Sequence, residues 1–214
     1  MDSVNLIQNI DGVNMGLEKK NYHHGNLRSE LKNAALEILD EEGVEAVSIR
    51  KVARNVGVAH SAPANHFKDK KALLTALAID IFKDISTKAN QELTIDNKAL
   101  SEKIHVFSNA LLKYGAHFPN RYRLLWRRDY LNNDDQELND VMDLIYNKLL
   151  EVLSENQNEA NVSIESQAIA LWSMIHGYIT MRLDGNLIHK TDEKSGADRQ
   201  LAIIDVLLNG LKCD

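Results

Sequence analysis

Cysteine and proline are scarce in this chain, whose 214 residues include one cysteine, Cys213, and two prolines. A single cysteine cannot form a disulfide within the chain, which excludes a disulfide-rich scaffold and favours a reducing, cytoplasmic location. Scarce proline leaves long stretches free to form helices. Apolar runs are short as well, since none approaches the roughly 18 residues that a membrane-spanning helix needs. We therefore expect no membrane association.

The N-terminal stretch lacks the features of a signal peptide. It carries an acid, Asp2, where a signal peptide carries positive charge, so we do not expect secretion. Residues 1–21 show no helical period and are predicted to form a flexible arm. Met15 is an alternative start of the natural protein.

Motifs of the common enzyme classes are missing. The chain has no P-loop, nucleophile elbow, dinucleotide-binding glycine motif or zinc-protease motif. Its cysteine, histidine and aspartate residues form no group at catalytic spacing, and the adjacent His23 and His24 are a weak metal-ligand signal on their own. We therefore expect no enzyme, no cofactor and no bound metal.

Positive charge is concentrated near the N-terminus although the net charge of the chain is −6. Residues 19–71 hold ten Lys and Arg against seven Asp and Glu, a net charge of +3, and the rest of the chain carries −9. Such an asymmetry is typical of a protein that meets phosphate at one end only. Lys19, Lys20, His23 and His24 are predicted to form a basic arm along a DNA backbone.

The stretch from Ser48 to Phe67 has the pattern of two short helices separated by a glycine turn. Apolar residues at i, i+3, i+4 and i+7 place one face of the first helix on a core: Ile49, Val52, Ala53 and Val56. Ser48 is its predicted N-cap, and Gly57 ends it because glycine takes the left-handed conformation cheaply. Pro63 is tolerated only in the first turn of a helix, so the second helix is predicted to begin within residues 59–62 and to end at Phe67. Two such helices form a helix-turn-helix, whose second helix enters the DNA major groove.

The remaining apolar patterns predict further helices. The first is predicted to begin at Leu27 and to end before Gly43, and Asp69 is the predicted N-cap of a long helix reaching about Thr94. Later helices are predicted over the following residues: 97–118, a segment beginning after Pro119, a helix after Asp134 and Asp135, 163–184, and 201–211. The polar run at residues 154–163 is predicted to be a loop.

Residues 27–77 resemble the N-terminal domain of the tetracycline-repressor-like (TetR) regulators. The resemblance rests on Ser-Ile-Arg at 48–50, Ala-Arg-x-x-Gly-Val at 53–58 and His-Phe-x-x-Lys-x-x-Leu at 66–73. The sequence Ala-Leu-Trp-Ser-Met-Ile-His-Gly at 170–177 resembles the Trp-x-x-x-His-Gly signature of one branch of that family.

The resemblance implies an all-α fold of about nine helices, in which a helix-turn-helix domain is joined by a long helix to a ligand-binding and dimerisation domain. The expected division is residues 1–21 for the arm, 22–71 for the DNA-binding domain and 72–214 for the C-terminal domain. The implied function is a transcriptional regulator, and the expected activity is repression that a small-molecule effector relieves at a palindromic operator.

Carried over position by position, the resemblance also implies the residues that contact DNA. The predicted set lies on and around the second helix of the helix-turn-helix: Ser48, Arg50, His60, Ser61, Ala62, Ala64, Asn65, His66, Lys68, Lys70 and Lys71. Asn65 is suited to adenine, whereas Ser48, His66 and Lys70 are the phosphate candidates. Ala59 and Ala64 stand where the family often has hydroxyl-bearing residues, so affinity is expected to depend more on the lysines.

The last two predicted helices leave little polar surface. Residues 163–184 have apolar residues on two sides, and residues 201–211 are apolar nearly all round. A second copy of the chain is the simplest cover for such helices. TetR-like proteins pair through these final two helices, so the resemblance also implies a homodimer.

Candidate effector-binding residues lie in the C-terminal half: Phe107, His117, Trp126, Met142, Trp172, Met174, His176 and Tyr178. We expect most of them to be packed core residues, and His176 with Gly177 is an alternative hydrogen-bonded pair that holds two helices close. The arginine-rich segment 121–131 is interpreted either as an amphipathic helix with solvated arginines or as the entrance to a cavity for anionic ligands.

Another function class remains open from the sequence. A helical protein-interaction module that kept this fold without specific DNA binding is the alternative, and the hydroxyls missing at residues 59 and 64 favour it. The lysines after Phe67 favour DNA. A salt-dependent mobility shift with genomic fragments distinguishes the two.

Overall fold

The structure, a computed structural model, describes residues 27–93, 99–155 and 162–211. Within these ranges the regular elements are helices joined by turns and loops, with one isolated β-bridge between Thr191 and Asp198, and the predicted all-α fold class is confirmed. The α-helices are α1 Leu27–Glu42, α2 Ile49–Val56, α3 Lys70–Leu93, α4 Leu100–His117, α5 Pro119–Leu125, α6 Gln136–Ser154, α7 Ile164–Leu183 and α8 Arg199–Leu211. Two 3₁₀-helices, Val44–Ala46 and Ala62–Asn65, complete the helical elements of these ranges. The predicted arm, residues 1–21, lies outside the described residues.

Helix α2 begins and ends where the sequence predicts, because its predicted capping residues act at both ends. Ser48 Oγ accepts a hydrogen bond from the Lys51 backbone N–H at 3.2 Å, and Gly57 ends the helix at φ 79°. The Val58 N–H then donates to the Ala53 carbonyl at 3.0 Å, which closes the helix end. The predicted first helix of the helix-turn-helix is therefore present with both of its caps.

The second helix of the helix-turn-helix is shorter than predicted. It is the 3₁₀-helix Ala62–Asn65, and Pro63 stands in its first turn, buried against the core. Pro63 has no N–H to donate, and the N–H groups of His66 and Phe67 both donate to its carbonyl, at 2.9 and 2.8 Å. The segment therefore makes a single tight turn that ends at the buried Phe67 ring.

The long helix α3 connects the N-terminal helices to the rest of the chain. Asp69 accepts a hydrogen bond from the Ala72 N–H at 2.8 Å and so caps the start of α3, as predicted. Leu73, Leu74 and Leu77 are buried on one side of α3, and the helix packs against α1, α4, α5 and α6. Its last described residue, Leu93, is one residue short of the predicted end.

Gly115 of α4 packs directly against Ile179 of α7. A Cβ atom added to Gly115 would lie 2.6 Å from Ile179 Cγ2, a distance that real Cβ atoms do not adopt. At Gly177, by contrast, an added Cβ meets no described atom within 4 Å. The glycine that allows two helices to pack closely within the subunit is therefore Gly115 and not Gly177.

No helix among the described residues is both long enough and apolar enough to cross a membrane.

Candidate nucleic-acid interface and ligand cavities

The predicted DNA-contacting residues lie together around the 3₁₀-helix Ala62–Asn65. Eight of the eleven are exposed: Ser48, Arg50, His60, Ser61, Ala64, Asn65, Lys68 and Lys71. Ala62, His66 and Lys70 are half-buried. Pro63 and Phe67 hold the turn from beneath, so its outer face presents small and polar side chains to solvent. The exposed side chains on and beside this turn are called the ridge, and their donors and acceptors are open to a partner: His60, Ser61, Ala64, Asn65, Lys68 and Lys71.

Arg28 fixes the end of this ridge, a role that the sequence analysis missed. Its guanidinium lies 4.6 Å from the centre of the Phe67 ring, and Nη1 donates to the His66 carbonyl at 3.0 Å. The guanidinium thus satisfies a carbonyl that follows the short 3₁₀-helix while it stacks on the anchoring ring. The only sequence signal for this contact is the presence of Arg28 in the first turn of the predicted helix.

The Lys70 ammonium makes contacts within the protein that the sequence analysis did not predict. Nζ donates to the carbonyls of Val44 and Glu45 at 2.8 and 3.2 Å, and it lies 5.0 Å from the centre of the Tyr130 ring. Burial lowers the pKa of Lys70, and the nearby Glu45 carboxylate opposes that shift. The 3₁₀-helix Val44–Ala46 leaves carbonyls that need donors, which explains why this lysine turns inward. At most one N–H of Lys70 is left for a phosphate.

The arginine-rich segment binds carboxylates of the N-terminal helices. Arg121 Nε donates to Asp40 Oδ1 at 2.8 Å, and its Nη2 pairs with the other carboxylate oxygen. Arg127 pairs with Glu45 at 3.1 Å and with Asp129 at 3.0 Å. These arginines are therefore neutralised by acids of the protein itself, which favours an amphipathic helix over an entrance for anionic ligands.

Helix α5 also binds α7. The Tyr122 hydroxyl lies 2.9 Å from His176 Nδ1, and Arg123 Nη2 donates to the Leu183 carbonyl at 2.6 Å. Three successive residues of α5 thus contact different parts of the protein. Arg121 contacts α1, Tyr122 contacts the middle of α7, and Arg123 contacts the end of α7. This seven-residue helix is a physical link between the helix-turn-helix region and the C-terminal helices.

Four of the eight predicted effector-binding residues pack against each other instead of lining one space. Trp126 lies 4.5 Å from His176 and 5.7 Å from Trp172, measured between ring centres, and Phe107 lies 6.3 Å from Trp172. Burial lowers the pKa of His176 and raises that of Tyr122. The rings come from α4, from α5 and the residue after it, and from α7, and they form one aromatic cluster.

The other candidates are scattered. His117 is exposed at the end of α4, and Met142 and Met174 are half-buried on different helices. Tyr178 alone among the eight candidates lines one of the cavities described below. The predicted set is therefore not assembled around a single site in this structure.

Cavities lined by described residues have volumes of about 320, 200 and 200 Å³. The largest lies beside Arg28, Phe67 and Lys71 at the start of α3. The second lies between α1 and α3, and the third lies between α4, α7 and α8 beside Tyr178 and Arg182. Among the residues that the structure describes, no three His, Cys, Asp or Glu side chains are grouped as metal ligands.

Two family models match the chain. Residues 31–77 match the model described as bacterial regulatory proteins of the tetR family, and residues 104–204 match the tetracyclin repressor-like C-terminal domain. The second span contains Trp172, His176 and Gly177. Together the two models cover more than half of the chain and include both the helix-turn-helix and the C-terminal helices.

Curated relatives are regulators of the same kind. An uncharacterized HTH-type transcriptional regulator of Mycobacterium tuberculosis is 26% identical over 158 residues, which cover 74% of this chain and 71% of that protein. The class D tetracycline repressor of Escherichia coli is 37% identical over 93 residues, which cover 41% of this chain and 40% of the repressor. The similarity to the tetracycline repressor therefore spans less than half of either protein.

Solved structures share the fold. A Rhodococcus protein of unknown function superposes with a TM-score of 0.76 at 23% identity and covers 91% of this chain and 100% of its own. A tetR-family regulatory protein from Rhodococcus superposes with a TM-score of 0.60 at 15% identity and covers 87% and 97% of the two chains. With the two family models and the helix-turn-helix geometry, these comparisons lead to one conclusion: the chain belongs to the tetR family of helix-turn-helix transcriptional regulators.

Proposed function

We propose that this protein is a homodimeric cytoplasmic repressor that binds a palindromic operator and leaves it when a small-molecule effector binds the C-terminal helices. The observation that carries the proposal is the outer face of the 3₁₀-helix Ala62–Asn65, where polar side chains are exposed on a turn held by the buried Pro63 and Phe67. Regulators of this family bind DNA and small-molecule effectors and are typically dimers.

The proposed readout uses the exposed ridge. Asn65 is suited to a bidentate pair with adenine, and His60 can donate to guanine or to a phosphate. The ammonium groups of Lys68 and Lys71 are exposed and form no hydrogen bond or ion pair with other described residues, so they are available to the DNA backbone. In this arrangement the lysines set affinity, and Asn65 and His60 set sequence preference.

The proposed dimer forms through the outward faces of α7 and α8. Ile169, Met181 and Val206 are exposed by 58%, 46% and 72%, which is unusual for large apolar side chains on well-packed helices. On α7 this surface continues over Gly177, where nothing lies within 4 Å of an added Cβ. A second copy that covers this strip would bury apolar side chains and allow close helix packing. Two recognition turns about 34 Å apart would then meet successive major grooves.

The proposed release acts through α5. Arg121 binds Asp40 on α1, while the next two residues bind α7. A displacement of α7 therefore moves the helix that holds the acidic end of α1. Because both recognition turns must fit one operator, a small change in their separation weakens binding of the dimer strongly.

The test begins with DNA fragments selected from the host genome by the purified protein. We expect a fragment with an inverted repeat to bind, and log Kd to rise linearly with log salt concentration. The Lys68→Ala/Lys71→Ala variant should bind more weakly and show a shallower salt slope. Lys113→Ala removes an exposed lysine on α4, away from the ridge, and is the matched control. A protein that ignores every duplex at low salt, or that is a monomer at micromolar concentration, contradicts the proposal.

A further inference from the structure

The cavity between α4, α7 and α8 combines an apolar floor with polar groups on one side. Leu112, Ile179 and Leu183 contribute apolar surface, whereas Tyr178, Arg182 and Gln200 contribute hydrogen-bonding groups. Its volume of about 200 Å³ lies below the roughly 300 to 1,000 Å³ of pockets that hold drug-sized ligands. The space therefore suits a small molecule with a compact apolar body.

Arg182 is the unusual group in this cavity. Its Nη1 donates to the Leu187 carbonyl at 3.0 Å, which fixes the direction of the guanidinium. No carboxylate of the described residues lies within ion-pair distance of Arg182, whereas Arg121, Arg123 and Arg127 each have at least one. A half-buried cation beside apolar surface is stabilised when an anion lies next to it.

The neighbouring polar groups do not supply an anion to Arg182. His189, which also lines the cavity, holds Asp198 Oδ2 at 3.1 Å through Nε2, while Asp198 Oδ1 has no hydrogen-bond partner among the described residues. The Tyr178 hydroxyl has no hydrogen-bond partner among the described residues, and burial raises the pKa of this phenol, so it remains protonated and able to donate. Four guanidinium N–H groups of Arg182 and the phenol O–H of Tyr178 thus have no acceptor among the described residues, and both side chains line the cavity.

We infer that this cavity binds a small amphipathic carboxylate, whose anionic group pairs with Arg182 and Tyr178 and whose short apolar body lies on Leu112, Ile179 and Leu183. This inference deepens the proposed function, on which it rests, by assigning the chemical class of the effector and the place where it binds. The carboxylate supplies the missing counter-charge, and the apolar body displaces water from the floor.

The same cavity is connected to the DNA-binding region by a short chain of contacts. The Leu183 side chain lines the cavity, and its carbonyl accepts the 2.6 Å hydrogen bond from Arg123 on α5. Two residues earlier on α5, Arg121 binds Asp40 of α1. A ligand that displaces Leu183 therefore acts on the helix that binds α1.

Binding is tested on the DNA-free protein by isothermal titration calorimetry with three probes. Benzoate carries both the charge and an apolar body, benzyl alcohol carries the body alone, and acetate carries the charge alone. We expect saturable binding of benzoate and at least roughly tenfold weaker binding of the other two. Equal affinity for all three, or no heat with benzoate at millimolar concentration, overturns the inference.

Variants identify the residue that holds the anion. Arg182→Gln should weaken benzoate binding by roughly tenfold or more, and Arg182→Lys, which keeps the charge, should weaken it less. Arg128→Gln removes an exposed arginine elsewhere and is the control. Far-ultraviolet circular dichroism shows whether each variant is folded. Unchanged benzoate affinity in folded Arg182→Gln overturns the assignment.

A second arm separates this inference from the proposed function. Saturating benzoate should release the selected operator fragment from the wild-type protein, and Arg123→Gln should bind benzoate yet retain DNA. If benzoate binds through Arg182 but never changes DNA affinity, the carboxylate site is supported. The proposal that a ligand in this site releases DNA is then contradicted. If DNA binds and benzoate does not, the repressor stands and the carboxylate site is wrong.

Discussion

The Tyr122 hydroxyl lies 2.9 Å from Nδ1 of His176, and this hydrogen bond joins the short helix α5 to the middle of α7. The pair is enclosed by aromatic rings, with Trp126 4.5 Å from the imidazole centre. Burial lowers the pKa of His176, so the neutral imidazole is the form that the folded protein favours. Protonation would place a charge among these rings without a carboxylate to compensate it.

The first prediction concerns the pH dependence of stability. The pKa of folded His176 lies below the value of about 6.5 in the unfolded chain. As pH falls through the unfolded-state pKa, the unfolded state binds a proton at this histidine more readily than the folded state does. The free energy of unfolding therefore decreases toward acid pH. Urea unfolding between about pH 7.5 and 5.5 should show a larger loss for the wild type than for His176→Asn.

The control for that prediction is His117→Asn, which removes an exposed histidine on α4. This variant should retain the acid-dependent loss of stability seen in the wild type. Identical pH profiles for the wild type and His176→Asn would contradict a buried neutral imidazole.

The second prediction separates two adjacent lysines. Lys70→Ala removes the ammonium that donates to the Val44 and Glu45 carbonyls, leaves Val44 with only the long 3.4 Å bond from the Val47 N–H, and should lower the free energy of unfolding by about 1 kcal/mol. If Lys70 also contacts phosphate, as the sequence analysis predicts, the variant should weaken binding to all DNA sequences alike. Lys71→Ala removes an exposed ammonium and should change stability by no more than about 0.5 kcal/mol.

Both lysine variants are measured by urea unfolding and by DNA binding over a range of salt concentrations. Lys71→Ala should flatten the slope of log Kd against log salt by about one unit. Equal stability of the two variants would show that the inward-facing contacts of Lys70 contribute nothing measurable.

The third prediction concerns base readout by Asn65, which is exposed at the end of the 3₁₀-helix. Asn65→Ala should relax preference at one base pair per half-site by about 1 to 3 kcal/mol and leave unfolding unchanged. Competition binding against operators altered at each position measures this preference. A variant that weakens binding to every sequence equally would show that Asn65 contacts the backbone instead.

The fourth prediction compares two glycines. Gly115→Ala places a Cβ 2.6 Å from Ile179 Cγ2, and the forced separation of α4 and α7 should cost about 1 to 3 kcal/mol. Gly177→Ala meets no atom within 4 Å in the subunit and removes a helix-destabilising glycine. If α7 forms the dimer interface, however, the added methyl should raise the dimer dissociation constant.

The two glycine variants are compared by urea unfolding of the subunit and by sedimentation over a dilution series. The expected result is an unstable subunit for Gly115→Ala and a weaker dimer for Gly177→Ala. A stable, tight dimer in the Gly177→Ala variant would exclude close helix packing at this position.

The helices were predictable because their ends obey local rules. Ser48, Gly57 and Asp69 act within a few residues of the groups they cap, so sequence spacing is sufficient to place them. The single 3₁₀ turn at Ala62–Asn65 was not predicted, since Pro63 limits where a helix begins but does not set its length. The all-α class and the family resemblance are confirmed.

The candidate sites were less predictable because they depend on contacts between distant surface residues. Arg28 and His66 are 38 positions apart and Arg121 and Asp40 are 81 apart, and no periodic pattern links such pairs. Likewise, aromatic residues at helical spacing indicate a buried face but do not show whether the facing rings leave space or fill it. The structure places Phe107, Trp126, Trp172 and His176 in contact, while the predicted role of each residue in binding stays a prediction.

The buried pair Pro63 and Phe67 separates the side chains that hold the recognition turn from those that it displays. Substitutions at His60, Ser61, Ala64 and Asn65 leave the core untouched, and so the surface can vary while the fold is retained. If these four side chains contact the operator as proposed, a few point changes on this turn would direct a duplicated copy to different promoters. The four exposed positions would then carry sequence preference while the buried pair beneath them keeps the fold.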